Sequence, residues 1–349
     1  MKTTTKRKAV KSFGSFTTIK SPVQVPGGWR LASSSGRVVS AVVFGLMAAG
    51  VNGLIWTALI GGKINGPDFD WILAILMGVF ALMGLALAVV FVFMLLKALY
   101  TPKPTIELSS ETVDPLRATQ LRWSFTGSKP LLDLRITLVL REETQYRRGT
   151  DTVTDQHQIR EVVLYDRPEP ARDGTLSLTI PAGLPPSFST KSNQLVWSMR
   201  LRGSVPRLPD VDDEFPLVVR PAILHPASIQ AMPLPEDTIL PEGTPPLSLA
   251  GSATPGAAVA GVVNVAGKSV VLQLRWSTNG KGDNQSEIAC EAPVPRGVSG
   301  FILIMPSLPP AWSGTVLSIT WILQAMVGTE VIAELALACP PQPAADVAS

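Results

Sequence analysis

Few side chains in this chain could carry acid–base or metal chemistry. It has two histidines, His157 and His225. His225 precedes Pro226 in a proline-rich stretch, and His157 follows Asp151 and Asp155. A nucleophilic site needs a base beside its nucleophile, and a metal site needs a complete set of ligands. Because no second cluster completes such a set, we interpret this stretch as a solvated hairpin tip, with a metal site as the alternative.

One dense run of acidic residues is made of Asp210, Asp212, Asp213 and Glu214. A calcium loop needs a glycine at its sharp turn, and this run has none, so we predict a solvated turn rather than a loose Ca²⁺ site. Glu142 and Glu143 are adjacent, so on a strand they point to opposite faces and cannot act as a carboxylate pair. The chain also lacks a Gly-x-Gly-x-x-Gly stretch and a phosphate loop. We therefore predict a non-enzymatic protein with no metal, no cofactor and no evident small-molecule substrate.

Two cysteines, Cys290 and Cys339, do not make a disulfide framework in a chain of 349 residues. We interpret them as small buried apolar residues. A pair formed in an oxidising compartment is the alternative.

The positive charge is concentrated at the N-terminus. Residues 1–37 contain eight basic residues and no acidic one, whereas the chain as a whole has a net charge of only +3. The folded part therefore gives no charge argument for binding nucleic acid. The tail 1–37 is rich in Lys, Ser, Thr and Gly without apolar periodicity, so we predict that it is disordered, as is a short tail at 341–349.

The chain contains two long apolar runs near its N-terminus. Val38 to Ile60 and Trp71 to Leu96 carry no charge, and ten polar or turn-prone residues separate them. About 20 apolar residues are enough for a helix to cross a bilayer. The sequence therefore predicts a transmembrane helical hairpin over 38–100, with spans at 38–60 and 71–99.

The lysine and arginine bias predicts the orientation of this hairpin. The basic tail precedes the first span, and the connecting loop has one basic residue, Lys63, opposed by Asp68 and Asp70. By the positive-inside rule, the N- and C-termini lie in the cytoplasm and the protein resides in the inner (plasma) membrane with two spans. The reversed orientation, with the later domains outside, is the alternative.

Small residues recur along both spans. They are Ala41, Gly45, Ala49 and Gly53 in the first span, and Gly84 and Ala88 in the second. Such stripes allow close helix approach. They could serve assembly with another membrane protein or a second copy, or packing of the two spans against each other. Asn52 is the strongly polar residue at membrane depth, and we interpret it as interhelical hydrogen-bond glue rather than part of a transport path.

After Tyr100 the apolar period changes to two. Apolar and polar residues alternate over Leu121–Phe125, Leu134–Arg141, Thr175–Ile180 and Leu195–Arg202. Such alternation predicts strands with one buried face, and several of them with turns between predict β-sandwiches. We therefore expect a membrane-anchored all-β protein with two tandem immunoglobulin-like sandwiches, at 101–221 and 222–340.

The second half repeats the first. At an offset of 124 residues, Leu184-Pro185-Pro186-Ser187-Phe188-Ser189 aligns with Leu308-Pro309-Pro310-Ala311-Trp312-Ser313, and Trp197 aligns with Trp321. Further upstream, Ile136, Leu138 and Leu140 align with Val270, Leu272 and Leu274 at an offset of 134. This internal repeat predicts two related modules, with a longer excursion in the first.

The apolar strand, the Leu-Pro-x-Ser turn and the following aromatic strand resemble the arrestin-like family. Here these are Leu176–Ile180, Leu184–Phe188 and Leu195–Met199. The resemblance spans about residues 105–340 and implies tandem β-sandwiches that bind other proteins. The chain departs from the family in its N-terminal membrane hairpin and in Ala311, which stands where Ser is expected. The family's phosphate-sensing basic residues match no position in this chain.

Arg147 and Arg148 form a basic tip on the long excursion of the first module. They could contact anionic lipid or a partner, or be an ordinary charged hairpin end. The predicted function is a membrane-tethered scaffold or adaptor that binds a protein partner or itself through the hairpin or the sandwiches. An accessory subunit of a transport or secretion complex, with the β-domains outside, is the alternative.

Overall fold

The structure is a computed structural model. It describes residues 10–12, 16–34, 37–60, 71–126, 130–206, 208–221, 223–235, 238, 240–265 and 268–337. Within these residues, two helices lie among twenty strands. The helices are α1 (Arg37–Ile60) and α2 (Trp71–Tyr100).

The first β-sandwich is built from eleven strands. They are β1 (Val10–Ser12), β2 (Val23–Val25), β3 (Gly28–Arg30), β4 (Lys103–Leu108), β5 (Thr119–Thr126), β6 (Leu132–Arg148), β7 (Asp151–Arg167), β8 (Asp173–Leu178), β9 (Phe188–Ser189), β10 (Asn193–Val205) and β11 (Leu208–Leu217). Sheet 1 has the order β2-β3-β4-β5-β8, and sheet 2 has the order β1-β7-β6-β10-β11 with β9 on β10. The core between them includes Trp123, Trp197 and Phe215.

The second sandwich follows after Pro221. Its strands are β12 (Ser228–Pro233), β13 (Leu247–Leu249), β14 (Ala258–Val265), β15 (Val270–Gly280), β16 (Ser286–Val294), β17 (Gly297–Ile304), β18 (Trp312–Ser313), β19 (Leu317–Val327) and β20 (Glu330–Leu337). Sheet 3 has the order β12-β17-β14-β13. In sheet 4 the order is β16-β15-β19, with β18 and β20 also on β19. Alternating apolar residues of both sheets form its core, with Trp321 and Phe301 buried in it.

The internal repeat corresponds to equivalent structure. The indole nitrogen of Trp197 donates to the carbonyl of Pro185 at 2.9 Å, and that of Trp321 donates to the carbonyl of Pro309 at 3.1 Å. The short strands β9 and β18 pair with β10 and β19 in the same register. The proline turn therefore supplies an acceptor for a buried tryptophan N–H, which would otherwise lie unpaired in the core.

The upstream offset of 134 is wrong by two residues. Trp197 pairs with Leu140, and Trp321 pairs with Trp276, so the equivalent positions of β6 and β15 lie 136 apart. A shift of two residues returns every side chain to the same face of a strand. The alternation of apolar residues therefore fixes the face but cannot detect this shift.

The prediction of disorder for the tail 1–37 is wrong at residues 10–12, where β1 pairs with β7, and at residues 23–30. In the second of these stretches, β2 and β3 form a tight hairpin, in which Gly27 has φ 92° in the left-handed region that glycine tolerates. β3 then pairs with β4, and Leu31 is buried in the core. Val23, Val25 and Trp29 are strand-forming residues, but three-residue strands are too short to show a period. The predicted C-terminal tail at 341–349 lies outside the described residues.

The helices are inserted between two paired strands. β3 ends at Arg30 and β4 begins at Lys103, and Arg30 pairs with Glu107 across the junction. The backbone N–H of Leu31 also donates to the carbonyl of Ile106 at 2.9 Å. Both ends of the helix pair are therefore attached to two neighbouring strands of sheet 1, at the same end of the sheet.

The two helices pack against each other in antiparallel directions. Asn52 Nδ2 donates to the carbonyl of Ala48 at 2.7 Å and, across the pair, to that of Gly84 at 3.3 Å. Gly45 lies against the ring of Phe91. Among the described residues, Gly78–Leu96 is long and apolar enough to cross a membrane, and the apolar stretch of α1, Val42–Leu54, is shorter.

Candidate functional site

Strands β6 and β7 run beyond the rest of the first sandwich and reach the second. Each has 17 residues, and their turn contains Gly149 with φ 66°. Beside them, β10 begins at Asn193, which pairs with Thr144. The contact between the two sandwiches forms at this end of β6, β7 and β10. We call the group of buried polar residues there, with their partners in the second sandwich, the interdomain clasp.

Glu142 is the centre of the interdomain clasp. Its side chain is 0% exposed. The backbone N–H groups of Thr315 and Leu317 donate to it at 2.7 and 3.2 Å, and Trp312 Nε1 donates at 3.3 Å. His157 Nδ1 lies 2.8 Å from the same carboxylate. A buried carboxylate in sandwich 1 therefore holds backbone and side-chain donors that precede and open β19 in sandwich 2.

A second set of polar contacts surrounds Asn193. Its Nδ2 donates to Thr278 Oγ1 at 3.3 Å and to the carbonyl of Asp283 at 3.0 Å, and Thr144 Oγ1 donates to the carbonyl of Val316 at 3.2 Å. Asn193, Thr144 and Thr278 are all buried. Because their donors and acceptors are matched across the contact, the two sandwiches are held in one relative orientation.

An ion pair lies at the rim of the clasp. Lys281 Nζ donates to Asp155 Oδ2 at 2.6 Å and lies 5.9 Å from the ring centroid of Tyr146. The hydrogen bond to Asp155 raises the pKa of Lys281 above its usual value. Asp155 itself is 1% exposed. This pair adds a charge contact to the neutral hydrogen bonds around Asn193.

Equivalent positions of the two modules meet at the clasp. Leu195 on β10 corresponds to Ile319 on β19, and the two share a small apolar cluster with Leu317. Phe188 and Trp312, which are also equivalent by the repeat, pack against that cluster. The interface is therefore approximately two-fold, as an isologous dimer interface would be. The charges break the symmetry, since Glu142 corresponds to Thr278.

The adjacent carboxylate, Glu143, binds the start of the chain instead. Thr17 donates to it from its backbone N–H at 3.0 Å and from its hydroxyl at 2.7 Å. Gln194 Nε2 donates to Glu143 at 2.7 Å and to the carbonyl of Thr17 at 3.0 Å. The prediction that Glu142 and Glu143 point to opposite faces is confirmed. Each is used to hold a different segment of the chain.

The interpretation of Asp151, Asp155 and His157 as a solvated tip is wrong for the last two. Asp155 is buried and is bonded to Lys281 of the second module, and His157 is partly buried against Glu142. The metal alternative is not supported, because the described residues contain no group of three or more histidine, cysteine or carboxylate side chains close enough to hold a metal ion. Sequence alternation could not show that the long excursion would be covered.

The acidic run 210–214 is a strand rather than a solvated turn. It belongs to β11, where Arg200 holds Asp212 with hydrogen bonds of 2.8 and 2.6 Å and Arg141 forms a bidentate pair with Glu214. Burial acts to raise the pKa of Asp212, but the bonds and charges of Arg200 and Arg202 outweigh it, so the pKa lies below its usual value. Asp212 and Glu214 lie opposite Arg202 and Arg200 on the neighbouring strand. Such cross-strand pairs of opposite charge stabilise a strand, whereas the sequence pattern predicts a turn.

The basic tip lies far from the helices. Arg147 and Arg148 are both exposed. Thr137 on β6 lies opposite Arg200 on β10, and Arg200 lies opposite Glu214 on β11. The backbone carbonyl of Glu214 accepts a hydrogen bond from the backbone N–H of Ser34, just before α1. From Thr137 to Arg148 the strand extends for about 36 Å. Contact of this tip with lipid stays a prediction, and the structure places the tip beyond the clasp.

The small-residue stripe divides between two faces of α1. A side chain at Gly45 would meet Phe91, and one at Gly84 would meet Asn52, so these two glycines lie where the helices touch. Ala49 is exposed, and Gly53 has open space around it. Ala88 is partly buried, and the side chain of Ala41 lies outside the described part. The interhelical bond predicted for Asn52 is present.

Cys290 is a half-buried thiol on β16 that forms no disulfide with any described residue. Burial raises its pKa to about 11. Such a thiol is protonated at neutral pH and reacts slowly. Cys339 lies outside the described residues, so pairing between the two cysteines stays untested.

The clasp residues themselves were missed from the sequence. The sequence predicts only the strand face of Glu142, and it does not single out Thr144 or Asn193. The available signal was the run from Arg141 to Tyr146, where polar residues occupy both faces of a strand after a long apolar alternation. Both faces of that run are covered, one by the second module and the other by the N-terminal segment, and polar residues then supply the matched hydrogen bonds.

Comparisons with known proteins give a likeness in structure alone. No protein-family model matches the chain. No curated protein matches it either. Among solved structures, it is similar to the crystal structure of squid arrestin, with 9% sequence identity and a TM-score of 0.36, covering 69% of this chain and 95% of that one. A TM-score this low supports no inference about activity or partners.

Proposed function

We propose that this protein is a non-enzymatic scaffold, tethered to a membrane by the helix pair, that presents two fixed β-sandwiches to a protein partner. The observation that carries the proposal is the insertion of an apolar helix pair between the paired strands β3 and β4. A tether of this kind raises the local concentration of the sandwiches near a membrane partner.

The surface of the helix pair supports the tether. Large apolar side chains cover it and are exposed, among them Leu46, Leu54, Leu82, Leu85, Val89, Phe93 and Leu99. A helix that is apolar on all sides is either buried in protein or lies in lipid. Since these side chains are exposed rather than covered by the sandwiches, a bilayer is the environment that fits them.

The strand pairing constrains the arrangement further. β3 precedes the helices and β4 follows them, yet the two strands are hydrogen-bonded neighbours. This pairing supports a topology in which β2, β3 and both sandwiches lie on one side of the membrane, with an even number of crossings. The excess of basic residues in 1–37 favours the cytoplasmic side of the inner (plasma) membrane.

The clasp supports a scaffold rather than an enzyme. Glu142 accepts hydrogen bonds from donors of the second module, and Glu143 accepts them from Thr17 of the N-terminal segment, so each carboxylate holds another segment of the chain in place. A general acid or base would need access to a substrate. The partner is a second membrane-associated protein or a second copy of this chain, and nucleic acid is not part of the proposal.

The tether and its side are tested together in intact cells or spheroplasts. The full chain should stay with membranes after alkaline carbonate washing. A protease added outside should leave the sandwiches uncut, and should digest them once the membrane is opened. Release by carbonate would contradict the tether. Digestion from outside would reverse the orientation and favour the accessory-subunit alternative.

The scaffold role is tested by association. Chemical crosslinking in intact cells, followed by purification in mild detergent, should yield one reproducible crosslinked species that contains this chain. Mass spectrometry then identifies either a second copy or a defined partner. A chain that is monomeric in light scattering and forms no reproducible crosslink would overturn the proposed role.

A further inference from the structure

A groove opens on the outer face of sheet 2, close to the start of α1. Its volume is about 320 Å³. It is lined by Thr17, Thr18, Lys20, Ser34, Arg141 and Glu214. The N-terminal segment 16–34 forms one wall, and β6 and β11 form the floor. The groove therefore exists only because this segment, predicted to be disordered, docks on the first sandwich.

Both signs of charge are present in the groove. At the floor, Arg141 and Glu214 form a bidentate ion pair, and Glu214 keeps 23% of its side chain exposed. Arg141 Nε is buried and makes no hydrogen bond among the described residues, but it lies 3.5 Å from Glu143 Oε1 in an ion pair. Lys20 is exposed at the wall, and the hydroxyl groups of Thr18 and Ser34 line the same space. The lining thus offers cations, hydroxyl donors and one accessible carboxylate.

The groove lies at the depth of lipid headgroups if the helices cross a bilayer. Ser34 is three residues before Arg37, where α1 begins, so at most about 10 Å of chain separates them. The polar layer on each side of a bilayer core is about 5–8 Å thick. Ser34 also bonds to the backbone of Glu214, which ties the groove to this level.

We propose that this groove binds a phosphoethanolamine group, with the phosphate at Lys20 and the hydroxyl groups and the ammonium at Glu214. This inference rests on the proposed membrane tether for the source of the ligand, a phosphatidylethanolamine headgroup. The same chemistry exists in water-soluble phosphoethanolamine esters, so the test separates the two sources.

The accessible carboxylate decides between a zwitterion and a plain anion. An anionic headgroup that reached Lys20 and Arg141 would also approach Glu214, and the like charges would repel. A zwitterion places a positive group against that carboxylate, so each sign finds its opposite. The arrangement therefore selects a phosphate that carries an amine over a phosphate alone.

The test uses the full chain purified in mild detergent. It is incubated with equal amounts of phosphatidylethanolamine and phosphatidylglycerol of the same acyl chains, and retained lipid is counted by mass spectrometry after gel filtration. We expect several-fold enrichment of phosphatidylethanolamine. Lys20→Gln, an exposed substitution that leaves the fold intact, should lower its retention about fivefold. Glu214→Gln should abolish the preference between the two lipids, and Lys268→Gln, in the second sandwich, should change neither result.

A second arm measures glycerophosphoethanolamine, the water-soluble ester, by equilibrium dialysis. Binding at least as tight as that of the lipid, and weakened by Lys20→Gln, supports the site with a soluble source. Equal retention of both lipids, or retention unaffected by Lys20→Gln and Glu214→Gln, overturns the site even if the chain stays in membranes. Release from membranes by carbonate with intact binding of the soluble ester overturns the tether and leaves the site standing.

Discussion

At the scale of single residues, buried polar groups decide how the two modules meet. Glu142 and Glu143 are neighbours on β6, and both are fully buried. A buried charge is tolerated only when donors surround it, and each of these carboxylates receives several. Removing the charge or the donors should therefore affect the orientation of whole segments, not only the local structure.

Glu142→Gln should weaken the interdomain clasp. The amide keeps one acceptor oxygen but directs an NH₂ group at the backbone N–H of Thr315 or Leu317, which leaves donors unpaired. Hydrogen bonds to charged groups contribute about 1.5–3 kcal/mol each, so we expect a loss of at least that size in the free energy of unfolding. Denaturant unfolding measures it. Glu161→Gln, an exposed carboxylate on β7, is the matched control and should cost less than 0.5 kcal/mol. Equal losses in the two variants would contradict the role of Glu142.

The pair of Asp212 and Arg200 predicts part of the acid dependence of stability. The pKa of Asp212 is lowered in the folded chain from a usual value of 3.8. Its stabilising contribution is therefore present above about pH 4 and is lost as the pH falls through the lower folded value. Asp212→Asn and Arg200→Gln should each flatten the fall of the melting temperature in this range. The double variant should flatten it no further than Asp212→Asn alone, because the loss of the carboxyl group already removes its interactions with both Arg200 and Arg202. An unchanged acid slope in both single variants would refute this origin.

At the scale of elements, helix packing is set by which small residues face the partner helix. Gly45 and Gly84 face the neighbouring helix, whereas Ala49 and Gly53 do not. The small residues spaced four apart in α1 therefore lie on two surfaces of the helix, one facing α2 and one exposed. The contact between the helices uses Gly45 and Asn52, which are two turns apart on one face of α1.

Gly45→Val should separate the helices, because its side chain would overlap the ring of Phe91. Overpacking of this kind typically costs about 1–3 kcal/mol. Gly53→Val, where the structure has open space, is the matched control and should be tolerated. Thermal unfolding in detergent, together with crosslinking between cysteines placed in the two helices, reports the change. A larger loss for Gly53→Val would instead show that the outer face packs against another chain.

Strands with a clear apolar period of two could be predicted from the sequence, but their neighbouring strands in each sheet could be predicted only in part. Runs such as Leu134–Leu140 and Leu195–Leu201 lie in β6 and β10, and the repeat located the proline turns and both core tryptophans. The predicted offset of 134 residues between β6 and β15 is wrong by two because an alternating pattern looks the same after a shift of two residues. β2 and β3 are too short to show a period. The clasp depends on contacts between positions 85 or more residues apart, such as Asn193 with Thr278 and Glu142 with Thr315, which no local pattern contains.

At the scale of the whole molecule, the helix pair is an insertion in the first sandwich. Chain entry and exit lie on adjacent strands, so the sandwich closes without the helices. The second sandwich contributes the clasp and is joined through Pro221 and the residues after it. The molecule thus consists of two related modules and one insertion, which lies between the neighbouring strands β3 and β4 of the first module.

Replacing residues 35–102 with about six Gly and Ser residues should give a chain that folds without a membrane. The pairing of β3 with β4 would become an ordinary hairpin with a short loop. We expect a monomer in buffer with the same β-signal in circular dichroism and a cooperative unfolding transition. The comparison variant lacks residues 1–102 altogether and should be less stable, since it loses Leu31 from the core and the partner of β4. The opposite order of stability would show that the N-terminal strands do not belong to the sandwich.

The insertion also determines the order of events during synthesis. Arg30 cannot pair with Glu107 until the 76 residues between them have been made. At the usual rates of translation, β3 waits for about 4 to 15 s after it is made. The helix pair is synthesised in that interval, so under the proposed membrane tether its insertion would precede the closing of the first sandwich. Until β4 has been made, β3 lacks this partner and presents an open strand edge that is available for aggregation.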